Sequence, residues 1–208
     1  MEELHIRAAG TADLDTILGL TTQASAWLRE KDTDQWQRPW PTPEGRDARI
    51  IRGLLAHETW IVEAWRRPVA TVTCHQHGNR DRQLWNEDEL SEPTAFVSRL
   101  IVNREFAGME IGSALIHWAG RYALRNWGAK WIRIDVWTTN QALHRYYQGQ
   151  GFSFVRFSES GGPVFNPSAA LFQKSTSGLD TIAADRFIGG EPAMAVPLPA
   201  AGNFITAD

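Results

Sequence analysis

The sequence predicts an α/β fold in one domain: a mixed sheet flanked by helices. Three observations carry this. Short alternating runs recur along the chain, helical-period stripes separate them, and residues 94–137 read as a strand–helix–strand unit, whose two strands must lie parallel. In chain order, LHIRAA (4–9) alternates as a first strand. Thr11 suits a helix cap, with Leu14, Ile17, Leu18, Ala24, Trp27 and Leu28 forming the stripe behind it. DQWQRPWPTPEG (34–45) is a Pro-rich connection and ARIIRGLLAH (48–57) a short helix. TWIVEAW and VATVTCH flank Arg66-Arg67-Pro68 as a hairpin. QHGNRDRQLWNEDELSEP (76–93) is polar and turn-rich, and is expected to be a long loop. TAFVSRLIV (94–102) is a strand. Ile111, Ala114, Leu115, Trp118, Ala119, Tyr122 and Ala123 mark a helix stopped by Gly128. KWIRIDVW (130–137) alternates strictly, 140–150 is helical, and FSFVRF (152–157) and AALFQK (169–174) are the last strands.

Bulk properties narrow the function classes. The chain of 208 residues carries a formal net charge of −3, which gives no electrostatic case for nucleic acid or an anionic membrane. Cys74 stands alone, so no internal disulfide framework exists and a reducing compartment is expected. MEELHIRAAG lacks the basic and apolar regions of a signal peptide, and no apolar run reaches the ~18 residues of a membrane span. A cytoplasmic location is the expectation. Residues 1–174 form the expected domain. The remainder, 175–208, is rich in Ala, Gly and Pro and reads as an extension. A flexible tail is one reading; its apolar residues Ile182, Phe187, Ile188, Val196, Leu198, Phe204 and Ile205 suit packing along its own domain or a neighbouring subunit, as in a homodimer.

The chemistry-bearing stretch is REFAGMEIG (104–112). A strand running through a glycine-containing turn into a helix makes an anion site: the first helical N–H groups lack partners and the helix dipole favours negative charge. No GKS or GKT follows and GxGxxG is absent, so neither a P-loop nor a dinucleotide fingerprint is present. Downstream, Asn140, Ala142, Tyr147, Gly151 and Phe152 fall in the order N-x-A-x(4)-Y-x(3)-G-F.

Together with SRLIVNREFAGMEIGSALI upstream, this pattern resembles the GNAT superfamily of acyl-CoA-dependent N-acyltransferases, in element order over residues ~4–174 and most specifically over 97–152. The resemblance implies a mostly antiparallel sheet whose central parallel strand pair is splayed, with acetyl-CoA as co-substrate and no metal. Its phosphate loop maps onto 107–113 (Ala107, Gly108, Met109, Glu110, Ile111, Gly112, Ser113). Ala107 replaces a polar residue there and Glu110 replaces the first glycine. The backbone of Leu100, Ile101 and Val102 would line the pantetheine arm, Ile101 N–H facing the thioester carbonyl. Asn140 would contact the same arm, although a helix N-cap role explains it equally well. Tyr147 would donate to the departing sulfur. Its neighbour Tyr146 points ~100° away at helical spacing, so only one of them is expected to face the cofactor.

A primary amine near pKa ~10 must lose a proton before it attacks a thioester. Asp135, twelve residues before Tyr147, matches the base of relatives that acetylate protein N-termini. A structural pair with Arg133 or Arg145 is the alternative, and Glu63, His75 and Glu92 are reserve bases. His75-x-His77 places two imidazoles on one strand face without a third ligand of sensible spacing. Trp36, Trp40 and Trp85 fall in segments that wall the acceptor pocket of such enzymes, or else they seal the core edge. Glu87, Asp88 and Glu89 read as a solvated acidic loop. The function implied is acetyl transfer to an amine of a small molecule, an antibiotic or other metabolite. A protein or aminoacyl acceptor, or a binding module that has lost catalysis, are the alternatives.

Overall fold

The structure, a computed structural model, describes residues 3–37, 42–76, 78, 81–159, 167–179 and 186–190. The strands are β1 (Leu4–Ala8), β2 (Thr59–Ala64), β3 (Arg67–His75), β4 (Thr94–Val102), β5 (Trp131–Trp137), β6 (Ser153–Phe157), β7 (Ser168–Ser175) and β8 (Phe187–Gly189). The helices are α1 (Leu14–Arg29), α2 (Pro43–Leu55), α3 (Asp81–Leu84), α4 (Glu87–Ser91), α5 (Ile111–Trp127) and α6 (Gln141–Gly149). One sheet runs in the order β6-β7-β5-β4-β3-β2-β1-β8. Its central pair, β4–β5, is parallel, as a strand–helix–strand connection requires. The pairs from β1 to β4 and from β5 to β6 through β7 are antiparallel.

Helices cover both faces. Ile111, Leu115, Ile116, Trp118, Ala119 and Ala123 of α5 bury one stripe against Val62, Val72, Val97, Ile132 and Ile134, and Tyr147 and Phe152 join this core from α6 and the turn after it. On the opposite face Ile17 of α1 and Ile50 and Leu54 of α2 pack on Ile61 and Ala9. Farther along α1, Leu20 and Ala24 pack on Ile101.

The structure departs from the sequence reading in two places. The expected loop 76–93 contains α3 and α4. Asn86 accepts from Glu89 N at 2.8 Å while its own N–H donates to the Glu89 carboxylate at 2.8 Å, a reciprocal cap that starts α4. Leu84 and Trp85 anchor this segment on Phe96 and Leu171. Within the acidic run Glu87 and Asp88 are exposed while Glu89 pairs with Arg156 at 2.7 Å, and Glu92 beyond it pairs with Arg133 at 3.4 Å. The second departure is β8. Residues 187–189 of the extension add a strand parallel to β1, with Phe187 5% exposed.

Candidate active site

The site begins with a fault in β4. Thr71 pairs with Ile101, but Thr73 pairs with Ser98, so Arg99 and Leu100 together oppose Val72. Arg99 takes the extra place with φ 49°, a left-handed backbone that is uncommon for a non-glycine residue. The bulge reverses the alternation. Ala95 and Val97 lie in the α5-side core, and beyond the bulge Leu100 and Val102 pack there, while Ile101 turns to α1.

Along the other edge of β4 the sheet comes apart. β4 pairs with β5 only through Thr94–Phe96 against Trp131–Arg133. Beyond that the strands separate, and a cavity of about 1250 Å³ passes between them. Leu100–Val102, the loop residues Ala107, Gly108, Glu110, Ile111, Gly112 and Ser113, and Asp135, Asn140, Tyr146 and Tyr147 all line it. Met109 does not; it is exposed, and its carbonyl accepts from Arg186.

The head of α5 is built as a donor set. Ala107 N–H and Met109 N–H are engaged by the Arg104 and Phe106 carbonyls at 3.2 and 3.4 Å. Ile111, Gly112 and Ser113 open the helix, where no carbonyl four residues back is available. Glu110 caps it with φ 57° and ψ 18°, and its side chain makes no capping bond. The position has the backbone of a glycine although it carries glutamate. A Cβ at Gly112 would fall 2.7 Å from the Tyr146 hydroxyl, so only glycine leaves this first turn open beneath the phenol.

Tyr147 is 9% exposed and stacks edge-on against Phe152 and Tyr146. Burial pushes its phenol well above the usual tyrosine range, with Tyr146 and Asp135 adding to the effect. The two tyrosines do not divide as helical spacing implies. Both line the cavity, Tyr146 with its hydroxyl over Gly112 and Tyr147 buried against Phe152. Asn140 does hold the helix cap, accepting from Leu143 N at 2.9 Å, and its amide donates to buried Gln35 at 2.7 Å. Asp34 receives Trp137 Nε1 and Thr139 Oγ1 at 2.8 and 2.7 Å. These bonds fasten the α1–α2 connection over the end of β5, so the connection walls the cavity.

Asp135 lies on the face of β5 opposite Ile134 and Val136, toward the α1–α2 side. Arg133 directs its donors to the Glu89 carbonyl, Thr94, Gln173 and Glu92, and its guanidinium stacks 4.8 Å from the Trp85 ring.

The described tryptophans divide between the two alternatives, cavity wall and core seal. Trp36 lines the cavity and packs near Leu20, Ala24 and Ile101. Trp85 is not among the residues lining it; it is 3% exposed, seated between Phe96 and the Arg133 guanidinium. Trp40 and His77 lie outside the described residues. Among the reserve bases, Glu63 pairs with Arg7 at 2.9 Å and His75 with Asp81 at 3.1 Å, and neither lines the cavity. Sequence reasoning missed Arg46, Arg49 and Arg99 as cavity residues, since neither the bulge nor the seat of α2 leaves a periodic signal.

The model of the acetyltransferase (GNAT) family matches residues 25–152. The chain belongs to this family and is an acyltransferase. It is similar to an uncharacterised N-acetyltransferase, YesJ, of Bacillus subtilis (strain 168), 28% identical over 155 residues that cover 74% of this chain and 83% of that one. A GNAT-family acetyltransferase from Listeria monocytogenes 4b F2365 superposes with a TM-score of 0.67 at 21% identity, over 83% of this chain and 94% of the other. PaiA N-acetyltransferase from Thermoplasma acidophilum, solved in complex with coenzyme A, superposes with a TM-score of 0.60 at 14% identity, over 83% and 99%.

Proposed function

We propose that the protein transfers an acetyl group from acetyl-CoA to the amine of a small molecule by direct attack in a ternary complex. One observation carries the reading: a single cavity runs from the open first turn of α5, between the parted strands, to Asp135 on the opposite face. The PaiA relative's coenzyme A complex supports the choice of donor.

The residues fit that donor. The N–H groups of Ile111, Gly112 and Ser113 hold its diphosphate, and the glycine at 112 admits it closely. The edge of β4 at Leu100–Val102, turned away from β5, takes the pantetheine amides as an added strand would. Asn140 borders the same channel. Bound there, acetyl-CoA supplies an activated acetyl thioester. Asp135 holds the acceptor's ammonium and takes its first proton, which frees the lone pair that attacks the thioester carbonyl; as the C–N bond forms and the C–S bond breaks, the second nitrogen proton passes to the departing thiolate. Tyr147, held neutral by burial, donates a hydrogen bond to the departing sulfur. Its phenol, raised further from a thiol near ~8.5, polarises that sulfur without surrendering its proton. Positioning both reactants in one channel lowers the barrier by its entropic part.

Calorimetric titration of acetyl-CoA, followed by amine-dependent release of free thiol, tests the proposal. Cys74 is silent in that readout because it is buried and burial pushes its thiol up. Saturable binding and amine-dependent thiol release are expected. Failure to bind acetyl-CoA, or thiol release indifferent to every amine offered, overturns the proposal.

A further inference from the structure

The cavity's two ends differ in charge. At the α5 end, Arg104 stacks 3.9 Å from the Trp27 ring and Glu110 caps the helix, one cation beside one carboxylate. The α1–α2 end is basic. Arg46 and Arg49 reach it from α2, and Arg99 from the bulge of β4. Arg29 and Lys31, at the end of α1 and just past it, add to the same wall. Asp135 is the carboxylate among the described residues that lines this end. The chain as a whole carries a formal charge of −3, so this concentration of cations is local.

The arginines are placed by the fold. Arg99 owes its direction to the bulge, donates Nε–H to Thr73 Oγ1 at 3.2 Å, and passes under α2. A Cβ at Gly53 would stand 3.4 Å from its Nη2 and 2.9 Å from Thr59 Oγ1, so glycine there lets helix and guanidinium approach. Arg46 is braced by Asp47 at 2.7 Å. Arg49, one helical turn from Gly53, shares the α2 face that meets the cavity.

Resting on the proposed acetyl transfer, we infer that the acceptor is an amine that also carries an oxyanion, a carboxylate or a phosphonate a few bonds from the nitrogen. Arg49 and Arg99 hold the oxyanion while Asp135 receives the ammonium. A guanidinium fork engages two oxygens of a carboxylate or a phosphonate at once, and charge-assisted bonds of this kind are the strong ones. The same wall repels an acceptor that offers only cations, as a polyamine does. Substrate choice would thus be fixed by a charge pair of opposite polarity to the ligand's own, and by the bulge that sets one member of it.

An acceptor panel at saturating acetyl-CoA tests this. It pairs each L-amino acid with its primary amide, and includes aminoalkylphosphonates and spermidine. Acid members should be acetylated, with kcat/KM at least about tenfold above their amides, the fold-change expected for one lost charged hydrogen bond. Relative rates of the carboxylate and phosphonate members identify the oxyanion. Arg49→Gln should raise KM for the acid about tenfold or more with little change in kcat or in KM for acetyl-CoA, and Arg49→Lys should recover part of the loss. Arg99→Gln should do the same, and Arg49→Gln serves alone if the bulge variant fails to fold. Equal use of acid and amide, a preference for spermidine, or acetylation of no acid by an enzyme that binds acetyl-CoA overturns the inference. Transfer to some other amine then leaves the acetyltransferase reading standing, whereas absence of acetyl-CoA binding removes both.

Discussion

Glu110→Gly should tighten acetyl-CoA binding and, compared with Glu110→Gln, stabilise the fold. The residue heads α5 at φ 57° and ψ 18° and makes no side-chain capping bond. A left-handed backbone costs a non-glycine residue about 1–2 kcal/mol. Glycine returns about 0.5–1 kcal/mol of that through its freer unfolded chain. Both variants lose the same favourable charge–dipole term, so their difference isolates the backbone, a net of about 0.5–1 kcal/mol. For a chain of this size that is roughly 1–4 °C in Tm. The charge term acts on binding. A carboxylate about 8 Å from a doubly charged diphosphate, in high dielectric, opposes it by about 1 kcal/mol, or roughly fivefold in Kd. Calorimetry at low salt should therefore show both variants binding several-fold more tightly than wild type, and the gain should largely vanish near 1 M salt as screening shortens to ~3 Å. A loss of affinity in either variant, or a gain indifferent to salt, would refute the reasoning and give Glu110 a positive part in the site. A glycine variant that melts no higher than the glutamine variant would refute the backbone argument.

Tyr147→Phe should leave acetyl-CoA affinity near wild type and lower kcat by about 10²-fold or more, the loss expected for one hydrogen-bond donor aimed at developing charge, read by steady-state thiol release. Because burial raises this phenol above its ordinary ~10, the unfolded chain ionises first; the stability it contributes is present below pH ~10 and is lost as pH rises past it, which alkaline melts will register. Asp135→Asn should slow the reaction most at low pH, the deficit shrinking as pH nears the acceptor's own ~10. A uniform deficit with a lowered Tm would make Asp135 structural. Gly112→Ala puts a methyl 2.7 Å from the Tyr146 hydroxyl and should weaken acetyl-CoA binding, while in a Tyr146→Ala background the same change should cost less, a coupling measured by double-mutant calorimetry. Phe187→Ala should destabilise by about 3 kcal/mol with catalysis retained, checked by urea unfolding, because β8 seats this ring in the main core; an unchanged midpoint would show that the strand contributes nothing.

Much of the fold was legible because period and spacing are local properties. The stripe of α5, the strict alternation of WIRIDVW and the N-x-A-x(4)-Y-x(3)-G-F order each lie within one element or one connection, and the elements stand where those patterns put them. The capping pair Asn86 and Glu89 was legible in principle but hidden in a run that looked uniformly polar. Trp85 shows the opposite case. Its identity allows either a pocket wall or a core plug, and only the seat offered by Phe96 and Arg133 decides for the core.

By itself, the sequence determined the order of the elements from β1 to β7 apart from α3 and α4, the parallel β4–β5 pair and the glycine-bearing head of α5, because hydrophobic period, helix caps and crossover handedness act within a few tens of residues. The tertiary structure alone decided the rest. The bulge at Arg99 shifts β4 by one residue and exchanges its faces. The loss of pairing beyond Phe96 and Arg133 opens the channel, and the bonds that Asp34 accepts from Trp137 at the end of β5 and Gln35 accepts from Asn140 at the cap of α6 close its wall. Each of these depends on which distant side chains meet, and residues thirty to a hundred positions apart leave no local period to read.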